Sequence, residues 1–473
     1  MSLSTKIAHN TIIQIASKLI ASILGLLTIA IITRYLGKSG FGDYTTIMVY
    51  LTFFATIADL GLTLVTVQLI SKPNANEEKI IGNLFAFRII SALVFLGTSI
   101  IIAFLLPYSR IVKLGIALTS LSFLFVNFNQ VLVGIFQKNL RMDKVAIAEI
   151  VSRSFLLIAV FGAYFYDYGL MGILTATLLA NFISFLFHYI FSRGFIRAKI
   201  SIDLKLWGEI IKQSWPIAIT IFFNLIYLRT DTIILSLMKS SEDVGIYGAS
   251  YRVIDVLVTL PFMFAGIILP ILTRSWAEKN KEFFATVLQK SFDVMLIMAI
   301  PMLVGTFFTA NEIINLIAGP DFHQSALVLK ILITASTFIF IGTMYSHAII
   351  AIEKQKEIIK YYIFVALSSL LAYFIFIPKF SYIGAAWVTV YSEVTIAFSS
   401  FYLVYKYARF VPNFKMFLKV LASSAIMGLA LYYLEIFHIN FYIILFSAIL
   451  IYFISLFLLK GITKKELSDI LKI

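Results

Sequence analysis

Two short stretches of this chain resemble each other: residues 37–44 read GKSGFGDY, and residues 239–247 read KSSEDVGIY. Their Gly-x-Tyr endings, at 42–44 and 245–247, match at an offset of 203 residues, which indicates an internal repeat. Six apolar spans separate the copies. Because six is even, both copies keep the same orientation. We therefore predict a parallel repeat about an axis along the membrane normal, with a transport site between the halves.

The composition requires a membrane. Of 473 residues, 61% are hydrophobic and only 13% are charged, and the mean hydropathy is +0.97. A soluble protein of this size cannot hide so much apolar surface, so a soluble enzyme and a disordered chain are excluded. A spanning helix needs about 20 apolar residues. Apolar runs predict fourteen spans, near 11–33, 41–70, 80–106, 110–137, 145–165, 169–192, 208–238, 245–272, 285–309, 324–350, 357–377, 383–405, 414–434 and 440–460.

The predicted fold is an all-α polytopic membrane protein with about fourteen transmembrane helices. Residues 1–205 would form an N-terminal six-helix lobe, and 206–410 would form the second lobe, related to the first by the repeat. Residues 411–473 would add a transmembrane hairpin and a cytoplasmic tail. Between spans one and two we expect an outer loop over 35–42.

Basic residues set the predicted orientation. With the N-terminus inside, 25 of the 38 Lys and Arg fall in inner loops and termini, 6 in outer loops and 7 within spans. This bias alternates loop by loop and predicts cytoplasmic N- and C-termini in a multi-pass protein of the cell (inner or plasma) membrane. The net charge of +14 is then explained by topology, and we expect no nucleic-acid partner.

Motifs for catalysis, cofactors and metals are missing from the sequence. There is no Cys, the five His are scattered, and no nucleotide-binding, metalloprotease or serine-hydrolase motif occurs. We expect neither an enzyme nor a bound cofactor or metal. Without a nucleotide site, the driving force would come from Na⁺ or H⁺ coupling, the membrane potential or the substrate gradient. Nothing in the sequence requires more than a monomer.

Polar residues recur at helical spacing in spans one, two, seven and eight, so that each set shares one helix face. We expect these faces to line a hydrophilic cavity, although Thr side chains can also bond to their own helix backbone. The sets are Thr11, Gln14, Lys18, Ser22 and Gly25; Thr52, Thr56, Asp59, Thr63 and Thr66; Thr220, Asn224, Tyr227 and Asp231; and Arg252, Asp255 and Thr259.

Thirteen ionisable residues lie inside spans, where each would cost about 2.5–3.5 kcal/mol if it faced lipid. Glu149 and Arg153, like Arg252 and Asp255, have pairing separations and could neutralise each other. The other within-span charges that we single out have no partner within four residues and are the stronger functional candidates: Lys18, Arg88, Asp59 and Glu393. Basic groups at several depths suit an anion such as a phosphate or pyrophosphate.

The first motif and its surroundings resemble a known family. The segment 34–44 is similar to the R-x-L-G-P-x-x-[FY]-G-x-[YF] signature of Wzx-like polysaccharide flippases in the multidrug/oligosaccharidyl-lipid/polysaccharide (MOP) superfamily, with Lys38 where Pro is usual. DLGL at 59–62, DTIIL at 231–235 and LPIL at 269–272 also resemble the family. The resemblance implies two six-helix lobes, alternating access and a lipid-linked (polyprenyl-pyrophosphate) oligosaccharide moved to the outer leaflet for cell-surface polysaccharides such as O-antigen. Other polysaccharide-assembly proteins would be candidate partners.

On this hypothesis the basic side chains of Lys18, Arg88 and Arg252 attract the pyrophosphate, and Gln14, Thr56, Asn224 and Tyr227 meet the sugar. Counter-charge or ion-coupling roles fall to Asp59, Asp231, Asp255 and Glu393. Four alternatives stay open. The first is a drug or cation antiporter of the same fold, which would have an acid in the place of Lys18, and the second is a lipid II flippase. The third is a membrane polymerase or ligase, which would need a long outer loop, and the fourth is a scaffold. A scaffold without transport would need no buried charges on matched helices.

Overall fold

A computed structural model of the chain describes residues 3–70, 76–195, 199–437 and 439–461. This part is helical without any strand, which confirms the all-α prediction. Apart from a 3-10 turn at Pro320–Phe322, its helices are α1 (Leu3–Asp59), α2 (Leu62–Ile70), α3 (Glu77–Leu105), α4 (Arg110–Lys138), α5 (Met142–Phe165), α6 (Gly169–Ser192), α7 (Leu204–Met238), α8 (Ser241–Ala277), α9 (Lys281–Ile317), α10 (Gln324–Ala351), α11 (Gln355–Ala408), α12 (Lys415–Ile436) and α13 (Phe441–Leu458). Of these described helices, all except α2 are long and apolar enough to cross a membrane.

Two of these helices are each a pair of spans. The 57-residue α1 is non-helical at Gly37 (φ 62°, ψ −174°), and the 54-residue α11 at Ser381 (φ 50°, ψ −134°). A straight helix of either length would reach about 80 Å, far beyond the roughly 30 Å hydrocarbon core. Each helix therefore counts as two segments, and the twelve spanning helices of the described chain hold the fourteen predicted spans. The expected loop over 35–42 is wrong in detail, because a single glycine makes the connection.

Gly37 divides α1 into a first and a second arm, and the second arm ends earlier than the apolar run in the sequence. Leu60 (φ 49°) and Gly61 (φ 73°) both adopt left-handed conformations and separate α1 from the nine-residue α2. Such φ values favour glycine, because they bring a side-chain Cβ close to the backbone. The conformation of Leu60 is therefore sterically costly. The run predicted as one span over 41–70 is thus a helix, a tight break at Asp59-Leu60-Gly61, and a short helix.

The chain divides into two compact units, Met1–Gly248 and Ala249–Ile473. The first contains α1 to α7 and the beginning of α8. One hydrophobic core of this unit joins α2, α3, α4 and the first turns of α7, through side chains such as Leu62, Leu84, Phe136 and Ile210. The predicted lobe boundaries at 205 and 410 stay predictions.

The second unit contains most of α8 and all of α9 to α13. Apolar side chains add little helix–helix attraction within lipid, so close approach and hydrogen bonds matter more. Gly428 of α12 packs against Val304 and Phe308 of α9. Tyr452 of α13 donates a hydrogen bond to the carbonyl of Ile297 (2.8 Å). The terminal hairpin is thus packed on α9 within this unit.

Candidate functional site

The first motif forms a structural junction. Before the Gly37 kink, the hydroxyl of Tyr35 donates to Asp167 Oδ1 and accepts from the backbone N–H of Gly169, both at 2.7 Å. Asp167 and Gly169 themselves have positive φ values in the α5–α6 turn. The motif therefore holds the bend of α1 against the turn between α5 and α6.

After the kink, α1 meets the start of α8 backbone to backbone. A methyl group added at Gly42 would overlap the carbonyl of Ser241, and one added at Gly245 would overlap the carbonyl of Lys38. Residues 38 and 241, like 42 and 245, are separated by 203 positions, so the contact is reciprocal, as across a local twofold axis. We call the contact between 38–45 and 241–248 the glycine seam.

Side-chain contacts reinforce the glycine seam. Ser241 donates to Asp43 Oδ1 at 2.6 Å, and Lys38 forms an ion pair with Glu242. The sequence contained the signal for this contact, because the two glycines define the repeat. The repeat pattern did not indicate, however, that the two related segments contact each other.

The first arm of α1 has two different exposed faces. Apolar Leu19, Ile23 and Leu27 are about half exposed and form one face, as expected for contact with lipid. Gln14 and Lys18 are exposed on another, with Ser22 and Gly25 half-buried beside them. At 100° per residue, the second face points roughly 150° away from the first. The polar stripe predicted for span one is therefore solvent-accessible and directed away from the apolar face.

Lys18 has a partner on another helix. Its Nζ lies 3.9 Å from Oε1 of Glu149 on α5, and the two side chains are 49% and 28% exposed. The sequence spacing favoured a pair between Glu149 and Arg153 instead. The structure joins Glu149 to Lys18, while Arg153, one turn further along α5, is exposed.

Arg88 and Asp59 form a pair that is closed to solvent. Arg88 is 0% exposed, its Nη2 lies 2.5 Å from Asp59 Oδ1, and its Nη1 donates to Gln130 Oε1 at 2.8 Å. Ser91, one turn along α3, donates to the carbonyl of Ala58 at 3.0 Å. These contacts hold the end of α1 where it breaks. We expected both charges to line an open cavity, but in this structure the guanidinium of Arg88 is fully enclosed by protein groups. Contact between Arg88 and a substrate stays a prediction.

The threonines of span two bond to their own helix. Thr52 donates to the carbonyl of Met48 and Thr56 to that of Thr52, both at 2.7 Å. Thr56 also lines a cavity of about 210 Å³ between the end of α1 and α7, where Phe222 and Leu225 make the walls largely apolar. The side chains of Thr11, Thr63 and Thr220 lie outside the described residues.

The stripe on α7 is largely inward-facing. Asn224 donates to the hydroxyl of Tyr227 at 2.8 Å, and Tyr227 is only 4% exposed. Asp231 is 0% exposed, and its carboxylate accepts hydrogen bonds from the Tyr247 hydroxyl (2.7 Å) and the Thr232 backbone N–H (2.6 Å). Asp231 therefore connects α7 to the start of α8 by a hydrogen bond. Its role in ion coupling stays a prediction.

In the second unit, Glu393 of α11 is 5% exposed. Within the described chain its Oε1 has no hydrogen-bond partner. Arg252 and Asp255 of α8 are half-buried, one turn apart. Among described residues, no group of three or more His, Asp or Glu has the geometry of a metal site.

Fourteen spanning segments and a cation on an exposed polar helix face are typical of a membrane transporter. A family model described as "Polysaccharide biosynthesis protein" matches residues 7–276, more than half of the chain, and a model described as "MatE" matches residues 216–378. The chain belongs to the polysaccharide biosynthesis protein family.

Two curated relatives have related descriptions. The capsular polysaccharide biosynthesis protein CapF of Staphylococcus aureus is 24% identical over 298 residues, which is 62% of this chain and 74% of CapF. The probable flippase AglR of Haloferax volcanii is 25% identical over 169 residues, 35% of each chain.

Solved structures share the fold. The lipid II flippase MurJ in an inward closed conformation superposes with a TM-score of 0.78 at 19% identity, covering 94% of this chain and 97% of MurJ. An inward-facing multidrug resistance MATE family transporter of the MOP superfamily gives a TM-score of 0.69 at 15% identity, covering 84% and 98%. The predicted MOP fold is confirmed.

Proposed function

We propose that this protein flips a lipid-linked oligosaccharide, carried on a polyprenyl pyrophosphate, from the cytoplasmic to the outer leaflet. The observation that carries the proposal is Lys18, a cation on the polar face of α1 that points away from the apolar face. The description of CapF, a capsular polysaccharide biosynthesis protein, supports a saccharide substrate, and that of AglR, a probable flippase, supports flipping.

Each part of the substrate has a chemical counterpart. Lys18 and the half-buried Arg252 would attract the pyrophosphate, because charge-assisted hydrogen bonds to phosphate are stronger than neutral ones. Gln14 and Thr56 would serve sugar hydroxyls, which need new hydrogen bonds once desolvated. Asn224 and Tyr227, already bonded to each other, would have to exchange that bond for one to the sugar.

Flipping can be measured in vesicles that contain the purified protein and a fluorescent polyprenyl-pyrophosphate oligosaccharide. A membrane-impermeant quencher reports which leaflet holds the label. We expect Lys18→Ala to slow flipping about tenfold or more, the effect of losing one charged hydrogen bond to phosphate. Lys290→Ala, at an exposed lysine of α9, is the control and should flip normally. Equal flipping by wild type and Lys18→Ala would reject the role of Lys18, and no flipping by wild type would reject the substrate class.

The same assay separates the alternatives. Lipid II also carries a polyprenyl pyrophosphate but differs in its sugar and peptide, so preferential flipping of lipid II would assign that substrate instead. The MatE match and the MATE fold raise the case of a drug or cation antiporter. A cationic substrate would be repelled by Lys18, so export of an organic cation that increases in Lys18→Ala would favour the antiporter.

We also propose proton coupling through Glu393. Its carboxyl is nearly fully buried, with an Oε1 that no described group contacts by a hydrogen bond. Two turns along α11 from Glu393, the hydroxyl of Ser400 shares a hydrogen bond with that of Ser346 on α10 (3.3 Å). Glu393→Gln keeps the shape but cannot release a proton. We expect flipping by this variant to lose its response to an imposed pH gradient, and an unchanged response would exclude the role.

The proposed function also implies a membrane and an orientation in it. We propose that the protein resides in the cell (plasma or inner) membrane with both termini in the cytoplasm, as the basic loops predict. It would act as a monomer beside the other proteins of polysaccharide assembly. Labelling of single cysteines introduced into the cysteine-free chain, by an impermeant reagent on intact cells, would test the orientation, because residues of the inner loops should stay unlabelled.

A further inference from the structure

The Lys18–Glu149 pair is unusually open for two charges inside membrane-spanning helices. The distance between Nζ and Oε1 is 3.9 Å, at the limit of an ion pair, and both side chains remain partly exposed. Partly solvated pairs of this kind contribute little to stability. The pair is therefore well suited to exchange one partner for another.

A phosphate is a stronger partner for Lys18 than a carboxylate. A pyrophosphate carries more negative charge and more acceptor oxygens than Glu149, so its attraction to an ammonium group is larger at equal distance. Because Lys18 lies on the exposed polar face of α1, a phosphate can approach it without disturbing packed side chains.

Glu149 has a second cation within reach. Arg153 follows it by four residues on α5, the spacing at which helical side chains can pair. Arg153 is exposed, and no ion pair of Arg153 occurs in the described structure. A carboxylate that leaves Lys18 can thus turn along its own helix to Arg153.

We propose that Glu149 is an internal counter-anion: it occupies Lys18 in the unloaded transporter, and the substrate phosphate displaces it towards Arg153. This inference rests on the proposed function and adds a specificity residue to it. The exchange keeps Lys18 neutralised in both states. An empty carrier then does not have to enclose a lone cation, which would be costly in a membrane interior. Neutral or cationic lipids cannot displace Glu149, so the exchange also selects for anions.

Binding by the purified full-length protein tests the exchange, with geranyl pyrophosphate as a short soluble probe and geraniol as the uncharged control. Glu149→Gln removes the competitor, so we expect pyrophosphate binding to tighten about two- to fivefold, the fold-change that corresponds to a partly exposed pair. Arg153→Ala removes the second partner and should weaken binding. A purely structural role of Glu149 would give no such opposite signs. Inorganic pyrophosphate, in a third arm, distinguishes recognition of the phosphate alone from recognition of the lipid.

The flipping assay supplies the second readout. Without the competing carboxylate, Glu149→Gln should release its substrate slowly and return slowly to the unloaded state. Both the apparent KM and the maximal rate of flipping should therefore fall. Glu149→Asp, shorter by one methylene, should lie between wild type and Gln, and it serves if the Gln variant folds poorly. In the background of Lys18→Ala, replacing Glu149 should no longer change binding.

The outcomes separate the two hypotheses. If wild type binds the probe through Lys18 but neither Glu149→Gln nor Glu149→Asp binds it more tightly, the counter-anion role is overturned and the proposed function stands. If wild type binds the probe equally without Lys18, the role of Lys18 is rejected and the exchange falls with it. If wild type does not bind the probe at all, the proposed function itself fails.

Discussion

The two ion pairs of the first unit have opposite environments. Arg88 and Asp59 lie 2.5 Å apart with the arginine fully buried, and further hydrogen bonds surround the guanidinium. Lys18 and Glu149 lie 3.9 Å apart and are both partly exposed. A buried pair cannot lose one member without leaving an uncompensated charge. An exposed pair can, because water and mobile ions replace the missing partner.

The comparison separates fixed from exchangeable parts of the transporter. Arg88, Asp59 and the glycine seam hold the second arm of α1 at its two ends, near residue 59 and near residue 42. Lys18 lies on the first arm, before the Gly37 kink, where nothing comparably tight restrains its side chain. Buried charges in a membrane protein are thus not all equivalent candidates for transport, and exposure distinguishes them better than their presence in a span.

Arg88→Ala should give the largest effect. It leaves Asp59 in a buried site without its cation, which costs about 3–5 kcal/mol in the free energy of unfolding. We expect a large fall in the unfolding temperature of the detergent-solubilised protein, measured by tryptophan fluorescence. Replacing both partners, as in Arg88→Met with Asp59→Asn, should recover much of the loss.

The matched control is Arg141→Ala, at an arginine that is partly exposed and paired with Asp143 at 2.9 Å. This pair should contribute less than about 1 kcal/mol. If Arg88→Ala proved as stable as Arg141→Ala, the distinction between the fixed and the exchangeable pair would be wrong.

Gly42→Ala should give the next largest effect. The added methyl group would meet the Ser241 carbonyl, and backbone cannot move aside as a flexible side chain does. We expect a loss of about 1–3 kcal/mol, typical of overpacking. Gly245→Ala should act alike, because it occupies the reciprocal position.

Gly97→Ala is the control for the seam, since nothing lies within 4 Å of a methyl group at that helical position. Alanine favours helix over glycine by up to about 1 kcal/mol, so this variant should be neutral or stabilised. Equal unfolding temperatures for Gly42→Ala and Gly97→Ala would show that the seam is not a tight contact.

The sequence could predict whatever depends on periodicity and composition. Fourteen spans, the repeat at 203 residues and the polar face around Lys18 follow from apolar run lengths and 3.6-residue spacing, and the structure confirms the fold. Spacing says which face a residue occupies, but it does not identify the helix opposite that face. Thus the spacing pairs Glu149 with Arg153, four residues away, although its partner in the structure is Lys18, 131 residues away. Likewise, a single glycine with a positive φ at position 37 takes the place of the expected loop. Hydropathy could not predict this turn, because it carries little information about backbone torsions.

A third ion pair, more exposed than the other two, should give the smallest effect. Asp203 precedes α7 and accepts hydrogen bonds from the backbone N–H groups of Lys205 (3.1 Å) and Leu206 (3.2 Å). Its Oδ2 lies 2.7 Å from Lys79 Nζ. The hydrogen bond from Lys79, with those from the backbone, holds the pKa of Asp203 below its usual range.

A lowered pKa in the folded state fixes the sign of the pH dependence. The ionised carboxylate stabilises the fold above the ordinary Asp pKa of about 3.9, and this contribution is lost as the pH falls through the lower folded value. Asp203→Asn keeps a good helix N-cap but removes the charge. We therefore expect its unfolding temperature to be slightly below wild type at pH 7 and to approach wild type towards pH 3. A gap of constant size over that range would mean that the contact with Lys79 contributes no charge-dependent stability. The three pairs would then no longer form a series graded by their exposure.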